Sequence, residues 1–264
     1  MLFVPGRDLP PGHFCVRSLA MLDTAVAAFR SVVTYVAILV YISVTAPLAL
    51  VFGLLLRWKR GIFLLGHGGV WLALTLAGIR YRVSGLEQVP ARSVVFCSNH
   101  ESNVDPPVLF ETLHRQLHIL YKAELRNFPI MGTVFDVGGF VAVDRSDREK
   151  AMASIAEGAR SLEAGNSFLI FPEGTRSRTG ELLPFKKGGF IMAIQAQAPI
   201  VPVAVRGGRD AMRKGSRIVR PVHVSVRVGA PIPTTGMTLE DRDVLIQRVR
   251  TEVQKLLDEG PVWT

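Results

Sequence analysis

The sequence predicts an α/β domain, a sheet flanked by helices, behind an N-terminal pair of membrane-associated helices. Two observations carry this. Beyond about residue 85, short runs rich in Val, Ile and Phe alternate with polar helical patterns, as in a sheet covered by helices. Before that point, residues 31–56 hold no charged side chain, and 61–79 hold His67 as their only titratable one. A chain of 264 residues accommodates one sizeable α/β domain and a short appendage. The mean hydropathy of +0.29 is high for a soluble protein and low for a multi-span transporter, so one part must be far more apolar than the rest.

Residues 1–29 contain Pro5, Pro10, Pro11 and Gly12 and predict a loose tail leading into a helix. The uncharged run 31–56 would extend about 39 Å as an ideal helix, against roughly 30 Å of bilayer hydrocarbon. Arg30 precedes it, and Arg57, Trp58, Lys59 and Arg60 follow it as an aromatic and basic interfacial anchor. The second apolar run ends at Arg80. Pro47 and Gly53 can kink the first helix, so a full span and a position within one leaflet are both open. The apolar stretch is too long and begins too late for a cleaved signal peptide. The organisation expected is a tail and helical hairpin over residues 1–84 and an α/β domain over 85–264.

Strands are expected at 80–84, 93–97, 118–121, 140–143, 167–171, 200–205 and 223–228, from their Val, Ile and Phe content. Ser146 and Glu149 form a capping-box pattern that opens a helix to about Ala164, with Gly165 at its C-terminal cap. Residues 187–197 predict a second helix. Thr238 caps a third, in which Leu245, Val249, Val253 and Leu256 recur at helical spacing.

The net charge is +9, which suits an anionic partner. No zinc-finger, RNA-recognition or basic-zipper pattern occurs, and the apolar N-terminal region favours a lipid surface over nucleic acid. Cys15 and Cys97 make neither a disulfide framework nor a zinc set. The histidines other than His100 are scattered, so no metal site is expected.

Two motifs carry chemistry. The strand at 93–97 delivers the chain to Asn99-His100-Glu101-Ser102-Asn103-Val104-Asp105-Pro106-Pro107. On a continuous helix His100 and Asp105 would stand about 140° apart and could not face each other. Pro106 also biases Asp105 away from helical angles, so the segment predicts a compact turn that returns the carboxylate to the imidazole. A carboxylate on one ring nitrogen fixes the tautomer and makes the other a general base. That is a triad without its serine, in which a substrate hydroxyl takes the nucleophile's place. A structural hydrogen bond in a loop would have the same spacing.

The second motif follows the strand at 167–171, as Pro172-Glu173-Gly174-Thr175-Arg176-Ser177. Gly174 permits positive φ, and Arg176 offers a planar fork suited to phosphate. Lys186 and Lys187 add positive charge nearby in sequence. An ordinary surface turn with a solvated arginine is the alternative. Lys122 and Arg145, at the ends of two further strands, read equally as anion contacts or as solvated charges. No Gly-x-Ser-x-Gly elbow occurs, which argues against a serine hydrolase.

Together these segments resemble the glycerolipid acyltransferase family that makes phosphatidic acid. Asn99, His100 and Asp105 match its NH-x4-D motif, residues 138–145 its glycine-to-arginine block, and residues 171–177 its FPEGTRS motif at every position. The run Pro199-Ile200-Val201-Pro202-Val203 resembles its fourth motif. The resemblance covers roughly residues 80–229, and the N-terminal apolar pair is usual in the family as a membrane anchor. It implies a mixed sheet flanked by helices and a membrane-bound enzyme that acylates the sn-2 hydroxyl of lysophosphatidic acid. His100 would be the general base and Asp105 its orienting partner. Arg176, with Glu173, Gly174 and Thr175, would hold the glycerophosphate, helped by Lys122 and Arg145. No metal or cofactor is implied; acyl-CoA or acyl carrier protein would be the co-substrate. The other implied partners are the lysophospholipid and the phospholipid membrane, with the catalytic domain on its cytoplasmic side and no nucleic acid. Other lysolipids or glycerol 3-phosphate remain alternative acceptors, and a non-catalytic lipid-binding protein is the further alternative.

Overall fold

A computed structural model describes residues 12–55, 58–113, 116–127, 131–144, 147–212 and 215–263. Helix α1 spans Gly12–Leu50, so residues 12–29 are helical and not the loose tail expected. No helix breaker separates them from the apolar run, and the prolines at 10 and 11 lie before the helix. A wide helical turn, Val51–Leu55, ends α1, and α2, Lys59–Ala77, returns beside it. Tyr41 Oη donates to Leu65 O at 2.8 Å and Arg30 Nε to Leu76 O at 3.3 Å, which fixes an antiparallel hairpin. Both helices are long and apolar enough to cross a membrane, with mean hydropathies of 2.3 and 1.3. Large apolar side chains of α1 point outward, Phe29 at 70% and Leu39 at 67% exposure.

All seven expected strands form: β1 Arg80–Ser84, β2 Val95–Ser98, β3 Leu117–Lys122, β4 Val141–Val143, β5 Ser167–Ile170, β6 Ile200–Arg206 and β7 His223–Val228. They make one mixed sheet in the order β1-β7-β6-β2-β5-β3-β4. The strands from β6 to β4 run parallel, while β7 pairs antiparallel with β6 and parallel with β1. Strand β1 pairs with β7 along its whole length, so residues 80–84 are part of the sheet.

The central strands are buried on both faces, which explains why they read as unbroken apolar runs. Val95, Cys97, Phe168 and Ile170 pack on one side with Phe190, Leu245 and Val249. Those last three come from α6, Gly188–Gln195, and α8, Arg242–Asp258. Val94, Phe96 and Leu169 pack on the other side with Leu74, Val108 and Leu109. These belong to α2 and to α3, Asp105–Thr112. The hairpin therefore supplies part of the domain's core.

Helix α5, Arg148–Glu163, is capped by Asp147, whose side chain accepts from the Glu149 and Lys150 amides. The capping role expected for Ser146 falls outside the described residues. Thr238 does cap a turn that leads into α8, with Asp241 completing the box. Three helices were not expected: α3, α4 at Met131–Gly138 and the short α7 at Gly208–Ala211. In α3 the prolines at 106 and 107 occupy the first turn, where a missing N–H leaves nothing unpaired, so Asp105 itself opens the helix.

Candidate active site

Three loops leave the C-terminal ends of the neighbouring strands β6, β2 and β5, where open α/β sheets bind their ligands. Asn99 holds the first two together. Its Nδ2 donates to Val205 O and its Oδ1 accepts from Val205 N, both at 2.8 Å. The loop after β5 is tied in through His100. The His100 amide donates to Glu173 Oε1 at 2.7 Å, and His100 O accepts from the Ser177 amide at 2.8 Å.

The expected turn brings the pair together. His100 Nδ1 lies 2.9 Å from Asp105 Oδ2. The same oxygen accepts from the Glu101 and Ser102 amides, each at 2.7 Å. An oxygen already taking two N–H donors takes a third from the ring, which places the proton on Nδ1 and leaves the Nε2 lone pair free for base chemistry. The Asp105 side chain is fully buried, while the His100 side chain keeps 17% exposure. The imidazole stacks on Phe171, with centroids 4.2 Å apart. Gly208 packs so closely that a Cβ there would overlap Asp105 Oδ1. Cys97, in the strand below, is pushed up by burial and so supplies no thiolate nucleophile.

The residues of the second motif separate into two groups. Glu173 is 3% exposed, and its oxygens are spent on the amides of His100 and, at 3.0 Å, Leu183. Burial pushes its carboxyl up, against those two hydrogen bonds. Glu173, expected among the phosphate contacts, thus ties the loop after β2 to the segment that leads to Leu183. Gly174 has φ of 68°, the left-handed conformation expected, and lies under the Lys186 side chain. A Cβ at Gly174 would stand 2.8 Å from Lys186 Nζ. Thr175 is exposed and Arg176 half-buried in the same turn. The Lys122 backbone closes β3 at this end of the sheet. Its side chain, and Arg145 as a whole, lie outside the described residues.

Sequence reasoning passed over Glu101 and Ser102 as filler between His100 and Asp105. Both are buried, and Ser102 Oγ donates to Met212 O at 2.9 Å. The one signal available was a charged residue inside a loop that the two chemical groups already constrain.

The mixed sheet thus carries a buried His–Asp pair with the Arg176 turn next to it, the arrangement expected of an acyltransferase. A family model described as Acyltransferase matches residues 80–206. The chain belongs to the family of the 1-acyl-sn-glycerol-3-phosphate acyltransferases, as two Limnanthes relatives of that name show. The protein of Limnanthes douglasii is 34% identical over 76% of this chain and 73% of its own. That of Limnanthes alba is 32% identical over 89% of each. The human alpha enzyme is 36% identical over 66% of this chain and 62% of its own. The fold matches the crystal structure of the 1-acyl-sn-glycerophosphate (LPA) acyltransferase from Thermotoga maritima. That match has a TM-score of 0.77 at 24% identity, over 90% of this chain and 96% of the other.

Proposed function

We propose that this chain transfers a fatty acyl group from a thioester, acyl-CoA or acyl carrier protein, to the sn-2 hydroxyl of lysophosphatidic acid, giving phosphatidic acid. The observation that carries this reading is the 2.9 Å contact of His100 Nδ1 with a buried Asp105, beside the Arg176 turn. His100 Nε2 takes the hydroxyl proton as the oxygen attacks the thioester carbonyl. Collapse of the tetrahedral intermediate breaks the C–S bond, and Nε2 returns the proton to the leaving thiolate. Arg176 and Lys186, with Lys122 and Arg145, supply positive charge for the phosphate. Gly174 and Thr175 shape and line that turn.

The apolar α1–α2 hairpin is the membrane attachment. Purified enzyme in liposomes, offered lysophosphatidic acid, lysophosphatidylcholine and glycerol 3-phosphate with both classes of thioester, tests the acceptor by product mass. Phosphatidic acid is the expected main product. A clear preference for the zwitterionic acceptor would overturn the assignment.

A further inference from the structure

Glu101 stands between His100 and Asp105 in sequence, yet it is only 8% exposed. Its amide donates to Asp105 Oδ2 at 2.7 Å, while its Oε1 accepts from the Arg209 amide at 3.4 Å. Oε2 lies toward Gly180, where a Cβ would come within 3.9 Å of it. The Arg209 guanidinium then crosses to Thr179 O. One buried side chain thus joins the loops that follow β2 and β6, and Arg209 carries the link on to the loop after β5. The turn it fixes after β6 is the turn that presses Gly208 against Asp105 Oδ1.

We propose that Glu101 is a positioning residue for the reaction, whose carboxylate clamps the turn after β6 onto the His100–Asp105 pair and sets a second negative charge beside it. It acts through that pair, so the inference rests on the reading of His100 as the base. Two buried carboxylates in one loop oppose each other. Burial first, and then the charge of Asp105, push Glu101 up to about 7, against the Arg209 and Gly207 amides and the charge of Arg206. The ionisable groups around it are Asp105 at the start of α3, Arg206 at the end of β6 and Arg209 in α7, with His100 next to it in its own loop. Near neutrality Glu101 therefore changes charge. Ionised, it favours the imidazolium that forms as His100 takes the hydroxyl proton; protonated, it withdraws that support.

The test is kcat against pH for the full-length enzyme in phosphatidylcholine vesicles, with lysophosphatidic acid and the thioester that the parent uses. Four proteins are compared: the parent, Glu101→Gln, Glu101→Asp and His100→Ala. The parent's rate falls on the acid side with a step that belongs to Glu101. Glu101→Gln keeps an oxygen for the Arg209 amide. It unfolds at a temperature close to the parent's, works roughly three- to thirty-fold more slowly, and lacks that step. Glu101→Asp keeps the charge and restores the step. A Glu101→Gln profile that superimposes on the parent's after scaling would overturn the proposal. So would a Glu101→Asp profile without the step, which decides the matter if the Gln variant does not fold. Turnover persisting in His100→Ala would instead remove the base itself, and with it the reading on which the proposal rests.

Discussion

Asp105 Oδ2 is the most heavily used atom of the site. It takes the His100 ring and two successive amides from the same short loop. The imidazole is thus oriented by bonds that form within six residues of chain, and distant packing only seals the carboxylate from water. Arg176, proposed to hold the phosphate, would do a different job, because a guanidinium that grips a phosphate grips it in the ground state and the transition state alike. Arg176→Ala should raise the KM for lysophosphatidic acid about 10- to 100-fold and change kcat little. Steady-state kinetics check this, and an unchanged KM would move the phosphate site elsewhere. Glu101 also bears on stability. The folded chain holds its proton up to about 7, while the unfolded chain releases it near 4.5. Between those values the folded state binds more protons, so stability falls as pH rises through the window. Glu101→Gln lacks this loss and should gain on the parent as pH rises. Urea midpoints of both proteins at the two ends of the window check it, and a constant offset between them would contradict it.

At the scale of elements, the hairpin has two roles that can be separated. Its inner side belongs to the core through Leu74 and Ala77, so removing α2 would open the sheet's packed face. Its outer side is apolar and faces away from the protein. Leu39→Glu with Val40→Glu, at positions 67% and 58% exposed, should weaken vesicle binding on the order of tenfold or more and leave the unfolding temperature nearly unchanged. Sedimentation with liposomes reads this, and undiminished binding would show another membrane surface. The strands were legible because each is a short apolar run bounded by polar residues, and β1 and β7 form at the limits expected. Helix α3 was not legible, because Pro106 and Pro107 read as breakers until they are seen to occupy its first turn. Helix α4 spans only 8 residues and is too short for a helical period to show. The His–Asp pair could be read because it is local in sequence. Glu101 could not, because its partner Arg209 lies 108 residues away and only the fold brings the two together.

For the whole molecule, the topology joins lipid and chemistry at one end. Helix α2 delivers the chain to Arg80, where β1 starts. Strand β1 runs antiparallel to β2, through β7 and β6, so its start lies at the end of the sheet where His100 stands. The hairpin end near Arg30 and Ala77 is therefore on the active-site side. A net charge of +9 gives the molecule an attraction for anionic lipid that adds to burial of the apolar hairpin. The most direct measurement is product formation by the parent and by His100→Ala in liposomes, with lysophosphatidic acid and acyl thioesters read by mass spectrometry. The account predicts phosphatidic acid from the parent. It predicts a loss of about 100- to 10,000-fold from a variant that still folds and binds vesicles. Turnover by that variant at the parent's rate would contradict the assignment of His100 as the base.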